Sequence, residues 1–104
     1  MNDKELLKLA AKAASYEVEL TSPYEAKIDG EWQEWNPLEY DSHALRLAAK
    51  LRVAITYPFG ENCVRCWHGH EGTEPVCLDL GDDPYAATRR AIVRAATEIG
   101  KAIK

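Results

Sequence analysis

The chain has 104 residues, 46% of them apolar and 29% charged, with a formal net charge of −4. That is enough for one domain, residues 1–104, with a single modest core. The acidic balance argues against a nucleic-acid partner, and no apolar run is long enough to span a bilayer. Three cysteines, an odd number, and an N-terminus without a signal-peptide pattern lead us to expect a protein of a reducing, cytoplasmic compartment.

In chain order, residues 2–15 read as a first helix. Leu6, Leu9, Ala10 and Ala13 form its apolar stripe, and Asn2 with Glu5 has capping-box spacing. Tyr16-Glu17-Val18-Glu19-Leu20 alternates as a half-buried strand does, and Thr21-Ser22-Pro23 ends it. Residues 24–28 alternate again before Asp29-Gly30, a tight-turn signal, although this stretch suits strand and loop equally. A second helix is expected to start at Asp41 or Ser42, capped by Asp41, and to end near Leu51 with Leu45, Ala48 and Ala49 buried. Val53, Ile55 and Tyr57 alternate next, and two further strands follow over residues 62–68 and 74–80, joined by the turn-rich residues 69–73.

The last helix is the best signed. Asp83 is an N-cap candidate, Pro84 suits the first helical position, and Asp82 adds negative charge at the positive end of the helix dipole. Tyr85, Ile92, Ala96, Ile99 and Ile103 share one stripe, with Arg90, Arg94, Thr97, Glu98 and Lys101 opposite in water and an Arg94–Glu98 pair expected. Arg89 falls beside the stripe and needs a carboxylate, with Asp79 and Asp41 the candidates. The connections between the last strands are too short for parallel crossovers. The expected fold is therefore α+β, a layered helix–sheet–helix sandwich with a mainly antiparallel sheet and three helices. No internal repeat is visible in the sequence.

Two blocks stand out together: Trp35-Asn36-Pro37-Leu38 leading into Ala44-Leu45-Arg46-Leu47-Ala48-Ala49-Lys50-Leu51, and Asp82-Asp83-Pro84-Tyr85-Ala86-Ala87-Thr88-Arg89-Arg90-Ala91-Ile92. With Leu6-Leu7-Lys8-Leu9-Ala10-Ala11-Lys12-Ala13-Ala14, this pairing resembles the phage ABA sandwich domain family, small proteins of tailed bacteriophages and prophages. The resemblance covers nearly the whole chain except residues 57–76. It implies the layered architecture and a phage origin, hence a bacterial host cytoplasm. It carries over no catalytic or binding residue and no cofactor.

Chemistry-bearing constellations are few. Cys63-Val64-Arg65-Cys66 sits in an alternating strand, where residues three apart face opposite ways, so these cysteines read as packing groups and no metal ligand set is assigned. With a loop centred on Glu71, Cys66 would lie opposite Val76 and Val64 opposite Leu78. His43, His68 and His70 have no evident carboxylate partner for acid–base work. No phosphate loop, serine-hydrolase elbow or zinc-protease motif occurs.

Binding candidates are the aromatic stretch with Trp32, Trp35 and Tyr40, and Arg89. Trp32 is the expected exposed ring, while the turn at Asn36-Pro37 favours packing for Trp35. The leading expectation is a non-enzymatic phage accessory protein that binds a host or phage protein through this stretch or a sheet edge. Self-association as a homodimer stays open. The alternative is a binder of an anionic, nucleotide-like small molecule, motivated by Arg89; a thiol enzyme using Cys63 or Cys66 ranks last.

Overall fold

The computed structural model describes residues 1–69 and 74–103. The first and last helices start at the caps the sequence offers. Helix α1 (Asp3–Ala14) starts at Asn2, whose side chain accepts from Glu5 N at 2.9 Å. Helix α3 (Pro84–Ala102) starts at Asp83, whose carboxylate accepts from both Tyr85 N and Ala86 N at 3.1 Å. Helix α2 (Asp41–Leu51) differs from expectation at its start. Tyr40 occupies the N-cap without a side-chain bond, because Asp41 is engaged elsewhere, by Arg89.

The strands form two antiparallel three-stranded meanders. The first contains β1 (Glu17–Glu19), β2 (Glu25–Ile28) and β3 (Glu31–Glu34). The second contains β4 (Ala54–Thr56), β5 (Cys63–Trp67) and β6 (Val76–Asp79). The Asp29-Gly30 turn closes the β2–β3 hairpin with positive φ at both residues, 53° and 84°, as a two-residue turn of matching twist requires. The middle stretch, open to strand or loop from sequence, is thus strand. In the second meander Cys66 pairs with Val76 and Val64 with Leu78, the expected register. His70 and the loop centre at Glu71 lie outside the described residues.

The fold is α+β, with the strands in two sheets rather than one. A structural duplication is present that the sequence conceals. α1 and α2 each end at a non-glycine residue in the left-handed region, Ser15 and Arg52, at φ 64° and 57°. The next amide then reaches back five residues, Tyr16 N to Ala11 O and Val53 N to Ala48 O, both at 2.9 Å, before a meander begins. The chain is therefore two helix–meander units followed by α3.

Helix α3 is the common support, packing against α1, α2, β5 and β6. Being covered on several sides, it is buried over a wider arc than one stripe: Val93 and Thr97 are nearly inaccessible. Thr97, expected in water, lies under α1 with Oγ1 3.0 Å from Leu6 O and 2.8 Å from Val93 O. Tyr85, expected in the core, is 70% exposed because it precedes that covered stretch. Glu98 pairs with Lys101 rather than Arg94. Close approach of α1 and α3 depends on Gly100, where a Cβ would collide with the Leu9 carbonyl. That approach also turns α1 so that Leu7, Ala11 and Ala14 are buried and Leu9 is only half so. Among the described residues, no helix is long and apolar enough to cross a membrane.

Candidate functional site

Helix α2 presents different chemistry on its two sides. Its buried residues are Ala44, Leu47 and Ala48, rather than the expected Leu45, Ala48 and Ala49. The helix is therefore rotated so that Leu45 stands 63% exposed. On one side, His43, Arg46 and Lys50 recur at steps of three and four and line a cleft of about 360 Å³. On the other, Asp41 and Leu45 line a groove of about 410 Å³.

The cleft lies between α2 and the β2–β3 hairpin. Its floor is buried: Trp35 is 3% exposed and meets Tyr16 edge-on, with ring centres 6.0 Å apart and planes at 86°. The Trp35-Asn36-Pro37-Leu38 block builds this floor. Trp35 N donates to Tyr24 O at 2.9 Å, and Asn36 Oδ1 accepts from Leu38 N at 3.1 Å. Asn36 N donates to His43 Nδ1 at 2.9 Å. A neutral imidazole that accepts at Nδ1 carries its proton on Nε2. Burial pushes the His43 pKa below its ordinary value, which favours this neutral form.

The cleft rim carries charges of both signs. Arg46 and Lys50 come from α2, and Asp29 and Glu34 from the hairpin. Lys50 Nζ lies 5.3 Å from the Tyr16 ring centre. Burial and the nearby Asp29 carboxylate raise the Tyr16 pKa, so its hydroxyl stays a donor. Tyr40 donates to Glu34 Oε2 at 3.0 Å and contacts the His43 ring, and its own pKa is raised by that hydrogen bond.

The groove lies between α2, β4 and the start of α3. Its lining is mainly apolar, and Leu45, Tyr57 and Tyr85 are 63%, 55% and 70% exposed. Thr88 Oγ1 donates to Pro84 O at 2.8 Å, which leaves it to accept from the Tyr57 hydroxyl at 2.7 Å. That link fixes Tyr57 against α3 in spite of its exposure. Arg89 closes one end: Nε donates to Leu38 O at 2.9 Å and Nη1 meets Asp41 Oδ1 at 2.7 Å. Of the two carboxylates considered from sequence, Asp41 is the partner. This guanidinium is committed to the protein, which removes the motive for an anion site centred on Arg89. The charged residues of the lining, Asp41 and Arg89, are paired with each other.

The four sequence candidates are thus divided among three places. Trp35 forms the cleft floor, Tyr40 braces the cleft through Glu34 and His43, and Arg89 closes the groove. Trp32 stands 47% exposed on the first meander, across from Lys27, which in turn faces Glu17. The neighbouring row aligns Glu19, Glu25 and Glu34. Sequence reasoning missed Tyr16, as well as His43, Arg46 and Lys50, whose helical spacing on α2 was the available signal. It also misassigned Leu45 and Tyr85 to the core.

Cys63 and Cys66 face opposite sides of β5. Burial pushes the Cys66 thiol up to about 11, and hydrogen bonding with Cys77 raises that of Cys63, so both thiolates are disfavoured. In comparison with known proteins, the chain matches no family model, no curated protein and no solved structure at a significant level.

Proposed function

We propose that the protein is a non-enzymatic binding protein that docks a polypeptide segment in the apolar groove between α2, β4 and α3. The observation that carries this reading is the cluster of Leu45, Tyr57 and Tyr85, large apolar side chains that line one groove yet are largely exposed. Tyr57, held by Thr88, suits an interface anchor. Trp32 is a weaker anchor, because it stands singly among charged residues.

The apolar lining and the chain's net charge of −4 set the chemistry of the occupant: an apolar segment flanked by Lys or Arg. A second copy of the chain, with the same net charge of −4, is disfavoured as the occupant. The raised thiol pKa values at Cys63 and Cys66 support a role without covalent chemistry. The phage or prophage origin, with a host or phage protein as partner in the bacterial cytoplasm, rests on the sequence resemblance.

The test is a heteronuclear NMR titration with two short peptides sharing a Leu/Phe core, one flanked by lysines and one by glutamates. The lysine peptide is expected to shift Leu45, Tyr57 and Tyr85, with affinity falling as salt rises. Leu45→Asp should weaken it by at least roughly tenfold without lowering the melting temperature. Equal binding of the two peptides, shifts elsewhere, or a sedimentation dimer closed through this groove would each contradict the reading.

A further inference from the structure

We infer that the cleft between α2 and the β2–β3 hairpin is a second, separate site, built for a small zwitterionic ligand of the free amino acid class with a flat apolar side chain. The inference stands on shape, charge and hydrogen-bonding capacity together.

The shape is that of a small-molecule site. A cleft of about 360 Å³ lies at the low end of the usual range for ligand pockets, roughly 300–1,000 Å³. Its floor of Trp35, Leu47 and the half-buried Tyr16 and Ile28 is apolar and rigid. Such a surface accommodates a flat hydrocarbon or aromatic body.

The charges are arranged for separation rather than neutralisation. Two rim cations, Arg46 and Lys50, stand against two rim carboxylates, Asp29 and Glu34, so the formal charge of the lining sums to zero with His43 neutral. Among the described residues, none of these four forms an ion pair with another. A cleft with one positive and one negative wall best complements a ligand that is itself net neutral and dipolar. Its carboxylate would lie against Arg46 and Lys50, and its ammonium against Asp29 and Glu34. A dianion such as a nucleotide would meet the two carboxylates unfavourably.

The polar groups are also held in place. His43 is fixed by the Asn36 amide, and Nε2–H makes no hydrogen bond to a described residue, leaving a donor for the ligand's carboxylate. Glu34 is steadied by the Tyr40 hydroxyl, and Lys50 rests over the Tyr16 ring. Little ordering therefore remains to be done when a ligand enters.

The experiment uses L-tryptophan as the probe, beside tryptamine, which keeps only the cation, and indole-3-propionate, which keeps only the anion. Binding is followed by NMR on the Trp35 indole N–H and the His43 ring protons. L-tryptophan is expected to saturate shifts at both reporters, with tryptamine and indole-3-propionate each weaker by roughly tenfold or more, because each leaves one charged wall unpaired. Arg46→Met should bring L-tryptophan down to the affinity of tryptamine, and Asp29→Asn down to that of indole-3-propionate. Both positions are exposed, so the melting temperature serves as the fold control. Equal affinity for the three compounds, preference for either singly charged one, or no shift at Trp35 and His43 would overturn the inference. Shifts confined to Leu45 and Tyr85 would overturn it as well, by assigning the probe to the groove.

Discussion

The two sides of α2 differ in how they treat exposed chemistry. Facing the hairpin, charged side chains surround a buried aromatic floor and leave one another unpaired. Facing β4 and α3, apolar side chains are exposed, and the half-buried Arg89 guanidinium is engaged through Nε with Leu38 O and through Nη1 with Asp41. Packing against α3 buries Ala44, Leu47 and Ala48 and thereby leaves Leu45 outside. On the two proposals above, a single eleven-residue helix would carry two recognition surfaces, one polar and enclosed and one apolar and open. The rest of the fold supports that helix: α3 braces it from below, and the Asn36-Pro37 turn sets the orientation of its first turn.

The sharpest way to separate structural from surface aromatics compares two tryptophans three residues apart. Trp35→Ala should cost about 3–5 kcal/mol, the usual loss for a buried aromatic, and should remove the cleft floor. Urea unfolding measures it. A loss below ~1 kcal/mol would mean that the floor is not part of the core. Arg89→Ala should be the next largest, at about 2 kcal/mol. It leaves Leu38 O without its charged donor, while the Asp41 contribution is discounted because that carboxylate is 72% exposed. A neutral result would show that the groove's closed end is held by packing alone.

A smaller effect is expected from pH. Free histidine titrates near 6.5 and folded His43 lower, so acidification protonates the unfolded chain first. The stability held above the unfolded value is lost as pH falls from there through the lower, folded value. His43→Gln keeps an acceptor for the Asn36 amide and should flatten stability against pH in that window, read from denaturation midpoints at several pH values. An unchanged slope would assign the pH dependence to another group. Smallest of all, Trp32→Ala should change stability by less than about 0.5 kcal/mol and leave peptide binding in the groove intact. A loss of peptide binding in that variant would move the docking surface to the first meander.

Much of the scaffold was legible because local chemistry decides it. Asp83 with Pro84 announced α3, Asp29-Gly30 announced the hairpin, and the assumed loop centre at Glu71 placed Cys66 against Val76. The face of α2 was not legible. Leu45 with Ala48 and Ala44 with Leu47 both satisfy helical spacing, and only packing against α3 selects the second. Thr97 reads as a surface residue until the Leu6 carbonyl is brought over it. The cleft was hidden for a different reason. Its walls come from Tyr16, the hairpin and α2, segments whose proximity no local pattern encodes. Arg89 was half legible, since the need for a carboxylate was clear and the choice between Asp41 and Asp79 was not.

The most direct test of the two-sided account is a reciprocal titration. Leu45→Asp and Arg46→Met are each titrated by NMR with the lysine-flanked peptide and with L-tryptophan. The account predicts a crossed result: Leu45→Asp loses the peptide and keeps the amino acid, and Arg46→Met does the reverse. If either substitution weakens both ligands equally while the fold is retained, the two sides of α2 form one site and the account is wrong.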